Sequence, residues 1–117
     1  MRFAVMALAA ALLATPVSAE QFNKIDERDD FVTLIRDQKL TRFGIRLTVT
    51  PSGKIVGRAF GRDVSGAWEW RAGYFCRDLY WGQRDLGANC QEVKVQGERM
   101  RFTSDRGTGQ FADLYLR

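Results

Sequence analysis

The chain has 117 residues, of which 18 are Lys or Arg, 14 are Asp or Glu, two are Cys and none is His. Without His, a Ser-His-Asp or Cys-His nucleophile and a His-based zinc site are excluded, and two Cys cannot build a structural zinc site. The net charge of +4 is modest, and the basic residues are scattered among acidic ones, so we expect a soluble domain with no nucleic-acid partner. We also expect no metal and no cofactor.

The N-terminus has the pattern of a secretory signal peptide. Arg2 supplies a positive charge, residues 3–13 form an apolar run, and residues 17–19 are a small-residue cleavage site. The run is shorter than the roughly 20 residues that a membrane-spanning helix needs. We therefore predict a signal peptide at residues 1–19, with an uncleaved anchor as the alternative. The mature protein, residues 20–117, would be one periplasmic or secreted domain with no membrane span.

One helix is predicted near the start of this domain. Phe31, Leu34 and Ile35 fall at positions i, i+3 and i+4, which places them on one apolar stripe. The pair Asp29-Asp30 can supply the N-terminal cap. The pattern predicts a helix over about residues 30–38 that packs on one end or one face of a sheet.

After the helix the apolar residues alternate with polar ones, which is the period of a half-buried strand. Turn-forming residues such as Pro, Gly and Asp separate the alternating segments. Because the connections are short, neighbouring strands should be antiparallel. We predict a mainly β fold, a small antiparallel meander or half-open barrel of about seven strands with the helix at one end. The predicted strands are residues 45–50, 55–60, 67–71, 74–81, 89–96, 99–104 and 111–116.

The two cysteines lie on neighbouring predicted strands. In an oxidising compartment Cys76 and Cys90 are most simply a structural disulfide. They would close a loop of about 15 residues, which contributes about 3 kcal/mol in the chain-entropy model. A redox-active pair is the alternative, but the spacing is not C-x-x-C.

An aromatic group next to arginines is the main candidate for ligand binding. Stacking combined with a guanidinium suits a sugar, a nucleobase or a planar anion. The alternative is that the tryptophans form the core of a small barrel and that Arg77 pairs with Asp105 or Asp78. The candidate ligand-binding residues are Trp68, Trp70, Arg71, Arg77, Trp81 and Asp105.

The glycine-rich segment at residues 104–110 has two interpretations. Its backbone amides could form a nest for an anion. A hairpin turn explains the same glycines and is the interpretation we favour.

The pattern Trp-x-Trp-x-x-Gly-Tyr-Phe-Cys-Arg at residues 68–77, followed by Asn-Cys-Gln at residues 89–91, resembles a family of small exported alphaproteobacterial proteins of unsettled function. Such proteins are often labelled dihydrodipicolinate reductase, which would imply a two-domain enzyme with a glycine-rich dinucleotide motif. In this chain no G-x-G-x-x-G follows a strand and opens a helix. No residue of that enzyme can therefore be matched to a position here.

Three functions remain open from the sequence. The first is a disulfide-containing β-domain that binds a small planar or anionic ligand or an envelope partner. The second is a small periplasmic enzyme, for which a carboxylate pair such as Asp78 with Glu92 or Asp105 would have to meet in space. The third is a purely structural envelope protein. No motif identifies a catalytic residue, so enzymatic activity is uncertain.

Overall fold

We describe the protein from a computed structural model, which defines residues 21–117, so the predicted signal peptide lies outside the described residues. Residues 21–117 form ten strands and two short helical segments. In chain order these are β1 (Asn23–Lys24), α1 (Arg28–Ile35), β2 (Leu40–Arg42), β3 (Ile45–Val49), β4 (Lys54–Ala59), β5 (Arg62–Arg71), β6 (Tyr74–Trp81), β7 (Arg84–Asp85), β8 (Asn89–Gln96), β9 (Arg99–Thr103), α2 (Ser104–Gly107) and β10 (Phe111–Leu116).

The strands form a closed antiparallel barrel. Eight of them follow one another around it, from β2 through β6 to β8, β9 and β10, and β10 pairs with β2. The prediction of a mainly β antiparallel meander is confirmed, and the sheet closes fully rather than half-way. The one barrel strand that the sequence analysis did not predict is β2, and its three residues are too few to show an alternating pattern.

The barrel closes at a short seam between β6 and β8. Only three residue pairs join these strands, and the central pair is Cys76 with Cys90. The two cysteines form a disulfide with their Cα atoms 3.9 Å apart, as predicted. Beyond the seam the free edge of β8 pairs with β1, and the amide of Ile25 donates to the carbonyl of Val93 at 2.9 Å. A covalent bond therefore reinforces one of the short hydrogen-bond ladders of the barrel.

The helix α1 covers one end of the barrel, and its position differs slightly from the prediction. The residue at its N-terminal cap position is Glu27, so the prediction that Asp29 or Asp30 is the cap is wrong. The side chain of Glu27 makes no capping hydrogen bond. Both aspartates lie in the first turn, where negative charge suits the helix dipole. The helix ends at Ile35 rather than near residue 38 because Arg36 is extended and Asp37 has a φ of 58°.

Phe31 is the residue through which α1 enters the barrel. Its side chain is fully buried, and its ring centroid lies 5.2 Å from those of Trp68 and Trp70 and 5.1 Å from that of Phe75. Aromatic pairs at these separations contribute packing energy beyond their buried area. The helix thus closes this end, and the tight turns between β2 and β3 and between β4 and β5 lie at the other.

All three tryptophans face inward, and each indole N–H reaches a backbone carbonyl. Trp68 donates to Thr50 at 2.9 Å, Trp70 to Asp26 at 2.9 Å, and Trp81 to Ala59 at 2.7 Å. A buried indole needs such a partner because an unsatisfied N–H is costly. The structure therefore agrees with the alternative in which the tryptophans belong to the core of a small barrel.

The outer wall carries an ion pair with two hydrogen bonds. Arg101 on β9 donates two hydrogen bonds to Asp113 on β10, at 2.8 and 3.0 Å. Its guanidinium also lies over the rings of Phe22 and Phe111, 4.2 and 4.0 Å from their centroids. The hydrogen bonds from Arg101 lower the pKa of Asp113, although partial burial opposes them.

Removal of the disulfide should destabilise the barrel. In the Cys76→Ala/Cys90→Ala variant we expect the free energy of unfolding to fall by about 3 kcal/mol, because the unfolded chain regains the entropy of the closed loop. Urea unfolding followed by tryptophan fluorescence measures this. The variant should not respond to reductant, whereas the parent should; equal midpoints for the oxidised and reduced parent would contradict the prediction.

The pair on the outer wall predicts how stability depends on pH. A carboxyl whose folded pKa is lowered contributes stability above its unfolded value of about 3.9, and this contribution is lost as pH falls through the folded value. Asp113→Asn should therefore lower Tm near neutral pH and lessen the fall in Tm on acidification below about pH 4. The same substitution in an Arg101→Gln background should have a smaller effect on both, because only the weaker charges of Arg99 and Arg42 then act on Asp113. An unchanged acid profile in the single variant would be inconsistent with this assignment.

Candidate functional site

The barrel encloses space that its own side chains do not fill. Four inward positions are occupied by Gly or Ala, namely Gly57, Ala59, Gly66 and Ala112. At Gly57 a Cβ would overlap the carbonyl oxygen of Arg46, which confirms the close backbone approach expected of a glycine within this strand. Small residues at inward positions leave room that larger ones would occupy.

Two adjoining cavities result, an inner one of about 190 Å³ and an outer one of about 370 Å³. They share Leu47 and Leu79 as lining residues. The inner cavity is apolar except for Arg77 and Gln91. Its lining consists of Leu40, Leu47, Val49, Ile55, Phe75, Arg77, Leu79, Gln91, Phe102, Ala112 and Leu114. The outer cavity opens at the end opposite α1 and is lined by Ile45, Leu47, Ala59, Phe60, Val64, Leu79, Trp81 and Leu86.

Arg77 is the one ionisable residue that lines the inner cavity. Its position on β6 is directly opposite Trp68 on β5, so the two side chains share the inner face of the sheet. It donates one hydrogen bond, of 2.7 Å, to the carbonyl of Gly87. None of the ion pairs found among residues 21–117 involves Arg77. Desolvation lowers the pKa of its guanidinium, partly offset by the charge of Asp78.

Other polar groups stand next to Arg77 along the seam. Asn89 and Gln91 are the residues paired with Arg77 and Phe75 across β6 and β8, so they also face inward. The amide of Asn89 donates to the carboxylate of Asp105 at 2.9 Å, and the amide N–H of Asp105 donates back to Asn89 at 2.9 Å. Gln91 reaches the hydroxyl of Ser104 at 3.3 Å. A polar strip therefore runs beside an apolar cavity.

The segment at residues 104–110 is the hairpin loop that we favoured. The amide of Ser104 donates to Gln110 and that of Gly109 donates to Ser104, at 2.9 and 2.8 Å. Asp105 and Arg106 have left-handed backbone angles within α2, and a Cβ at Gly107 would crowd the side chain of Glu92. The glycine thus lets this strained turn lie against β8.

Three of the six candidate ligand-binding residues, Trp68, Arg71 and Arg77, line one hollow beside the disulfide, and the six do not all gather at one place. Trp68 and Trp70 are packed on Phe31 at the helix end, and Trp81 lines the outer cavity with the guanidinium of Arg62 4.6 Å above its ring. Arg77 lines the inner cavity. Arg71 is on the outer face, paired with Glu69 at 2.8 Å. Asp105 is held by Asn89 and does not pair with Arg77.

A further hollow of about 410 Å³ lies around the disulfide, lined among others by Arg71, Arg77, Asp78 and Asn89.

The possible carboxylate pairs are not brought to the interior. Asp78 is exposed on the outer face of β6, opposite Ala67, and Glu92 pairs with Lys94 at 3.3 Å. Neither interior cavity has an Asp or Glu in its lining.

The sequence interpretation missed Asn89, Gln91 and the two residues Phe43 and Phe60 at the open end. A signal existed for the first two, since they alternate with the apolar Val93 on the same predicted strand. The two phenylalanines each precede a glycine at one end of a predicted strand, Phe43 before residues 45–50 and Phe60 as the last of residues 55–60.

Within residues 21–117, no three His, Cys, Asp or Glu side chains are grouped so that they could hold a metal ion. Among the same residues, no helix has the length and apolar character needed to cross a bilayer. Comparison with known proteins gives no relative: no family model, no curated protein and no solved structure matches the chain.

Arg77 should reduce stability rather than support it. Arg77→Met replaces a half-buried, unpaired cation by an apolar side chain of similar length, so we expect the free energy of unfolding to rise by about 1 kcal/mol. Urea unfolding at neutral pH measures it. The matched control is Arg101→Met, which breaks an ion pair and should lower stability. A clear loss of stability in Arg77→Met would mean that its hydrogen bond to Gly87 outweighs the burial of charge.

Proposed function

We propose that this protein is an exported carrier or sensor of a small amphipathic anion, whose apolar body occupies the barrel interior and whose negative group pairs with Arg77. The observation that carries the proposal is an arginine that lines an apolar cavity and has no ion pair among residues 21–117. Buried cations in proteins are normally paired, and a ligand anion would supply the missing partner.

The dimensions of the interior support a small ligand. An apolar cavity of about 150 Å³ is known to take up benzene, and eight strands form the smallest barrel that can hold one small molecule. The inner cavity of about 190 Å³ adjoins a larger one that opens to solvent. A ligand can therefore enter from the open end and place its anionic group beside Arg77 and Gln91.

Recognition of the anion would combine charge with hydrogen bonding. Arg77 uses one of its donors on Gly87, which leaves the rest of the guanidinium for a carboxylate, sulfonate or phosphate. Gln91 lines the same cavity, at 3.3 Å from the hydroxyl of Ser104. Because the site is partly desolvated, a charge-assisted hydrogen bond there is stronger than at the surface.

The proposed location follows from the N-terminal pattern described above. A positive residue, an apolar run and a small-residue cleavage site are typical of export. The disulfide agrees with this proposal, because such bonds persist in oxidising compartments such as the periplasm.

Two fluorescent probes of matched shape test the proposal. The first, 1-anilinonaphthalene-8-sulfonate, is an apolar anion, and the second, N-phenyl-1-naphthylamine, lacks its sulfonate. The parent should bind both, the anion more tightly. Arg77→Met should weaken the anion by roughly tenfold or more and leave the neutral probe unchanged, because a charge-assisted hydrogen bond is worth about 1.5–3 kcal/mol.

The control variant is Arg71→Met, which removes a guanidinium from the outer face and should affect neither probe. If Arg77→Met weakened both probes equally, the residue would shape the cavity rather than bind charge. If the parent bound neither probe, the proposal would fail. If the parent binds the anionic probe as expected, native mass spectrometry of the protein purified from the periplasm would identify the natural ligand.

A further inference from the structure

Two hairpins at the open end of the barrel carry phenylalanine at their tips. The turn between β2 and β3 is Phe43-Gly44, and the turn between β4 and β5 is Phe60-Gly61. The side chain of Phe43 is 93% exposed and that of Phe60 is 64% exposed. The tips lie together, since the amide of Phe60 donates to the carbonyl of Gly44 at 2.8 Å and its ring lies against that glycine.

Phe60 occupies a backbone conformation that its side chain does not favour. Its φ is 50° and that of Gly61 is 80°, the angles of a hairpin turn in which Asn-Gly is preferred. The equivalent turn at the helix end, Ala72-Gly73, has the same angles with a small residue in place of the aromatic. An exposed aromatic in a strained position has no folding advantage, which indicates a role for the ring outside the fold.

Leu86 extends the apolar tip. It is 46% exposed and lines the outer cavity together with Phe60. Side chains of this kind, projecting from one end of a domain, form an exposed apolar patch of the type that marks an interaction site.

A ring of arginines surrounds the tip, and we name this set of arginines the arginine collar. All five are exposed and lie within four residues of Phe43, Phe60 or Leu86: Arg42, Arg46, Arg58, Arg62 and Arg84. Arg46 and Arg58 are directly opposite each other on neighbouring strands, and Arg58 is also paired with Asp63 at 2.8 Å. The same segments carry two carboxylates, Asp63 and Asp85. The open end is therefore both apolar and positively charged.

We propose that the open end of the barrel docks on an anionic lipid bilayer, with Phe43, Phe60 and Leu86 inserted at the headgroup level and the arginine collar on the lipid phosphates. Aromatic rings favour this interfacial depth, and basic residues next to it are attracted by anionic headgroups. The inference rests on surface residues and does not depend on the ligand of the interior.

Charge complementarity selects a bilayer over a second copy of the chain. If two copies met tip to tip, two arginine collars would face each other, and like charges placed together oppose association. An anionic membrane surface provides the apolar phase and the opposite charge in one plane. The open end of the interior cavity would then face the lipid, so an amphipathic molecule could pass between them without crossing water.

Vesicle co-sedimentation tests the docking. The parent protein should pellet with vesicles of equal parts phosphatidylcholine and phosphatidylglycerol and stay in the supernatant with phosphatidylcholine alone. Phe43→Ser and Phe60→Asn should each reduce the partition coefficient roughly tenfold, and Arg42→Gln roughly fivefold. Salt should weaken binding. Phe60→Asn places a favoured residue in its turn, so Tm should not fall and a folding defect cannot explain the loss.

Val56→Ser is the matched control, since Val56 is an exposed apolar residue on the barrel wall away from the tip, and its binding should equal that of the parent. Equal binding of Phe60→Asn and the parent would overturn the inference, as would equal binding of the parent to neutral and anionic vesicles. Sedimentation velocity without lipid provides the last test. A dimer in the parent that is lost in Phe43→Ser would overturn it in favour of a second copy. The probe titrations of the interior are independent, so either result stands alone.

Discussion

Closure of the barrel between β6 and β8 is the constraint on which the other features depend. The ladder there has three residue pairs, and the disulfide joins the middle one. Closure turns one face of every strand into an interior, so that side chains which would be solvated on an open sheet become cavity lining. Arg77 and Asn89 form the residue pair next to the disulfide in this ladder, and their side chains lie on the inner face. The same seam therefore supplies both mechanical support and the polar groups of the candidate site.

The two ends of the barrel differ in how they are finished. At one end α1 inserts Phe31 among aromatic rings, and the tryptophans there have their indole donors satisfied by backbone carbonyls. The other end has no helix over it among the described residues and carries exposed phenylalanines within a set of arginines. A domain of this size buries a modest core, so its stability depends on the plugged end and the crosslink. The open end is then free to carry features that do not favour folding.

Two such features lie in different parts of the barrel. Phe60, at the open end, has a left-handed backbone, and Arg77, opposite Trp68 in the interior, is a half-buried cation with no ion pair among residues 21–117. Each is locally unfavourable, and departures of this kind are expected where a protein binds something. One supports the proposal of an anionic surface outside and the other the proposal of an anionic ligand inside, and each proposal has its own experiment.

Local pattern in the sequence was enough for the strand alternation, the helix stripe and the cysteine pair. Alternating residues identified seven of the strands. The position of Cys76 and Cys90 on neighbouring predicted strands, together with a predicted export signal, identified them as a disulfide, because these features depend on near neighbours in the chain. The strands of two or three residues escaped, since β1, β2 and β7 are held by pairing with distant partners rather than by their own periodicity. The helix begins two residues before its predicted start and ends three residues before its predicted end. The early end reflects the backbone angles at Arg36 and Asp37, which are set by the route of the chain into β2 and override helix propensity. Tertiary structure alone decided three features: which tryptophans form the core, that Arg77 has no ion pair among the described residues, and that two Phe-Gly turns meet at one end. They follow from how the sheet closes and from which residues its closure brings face to face.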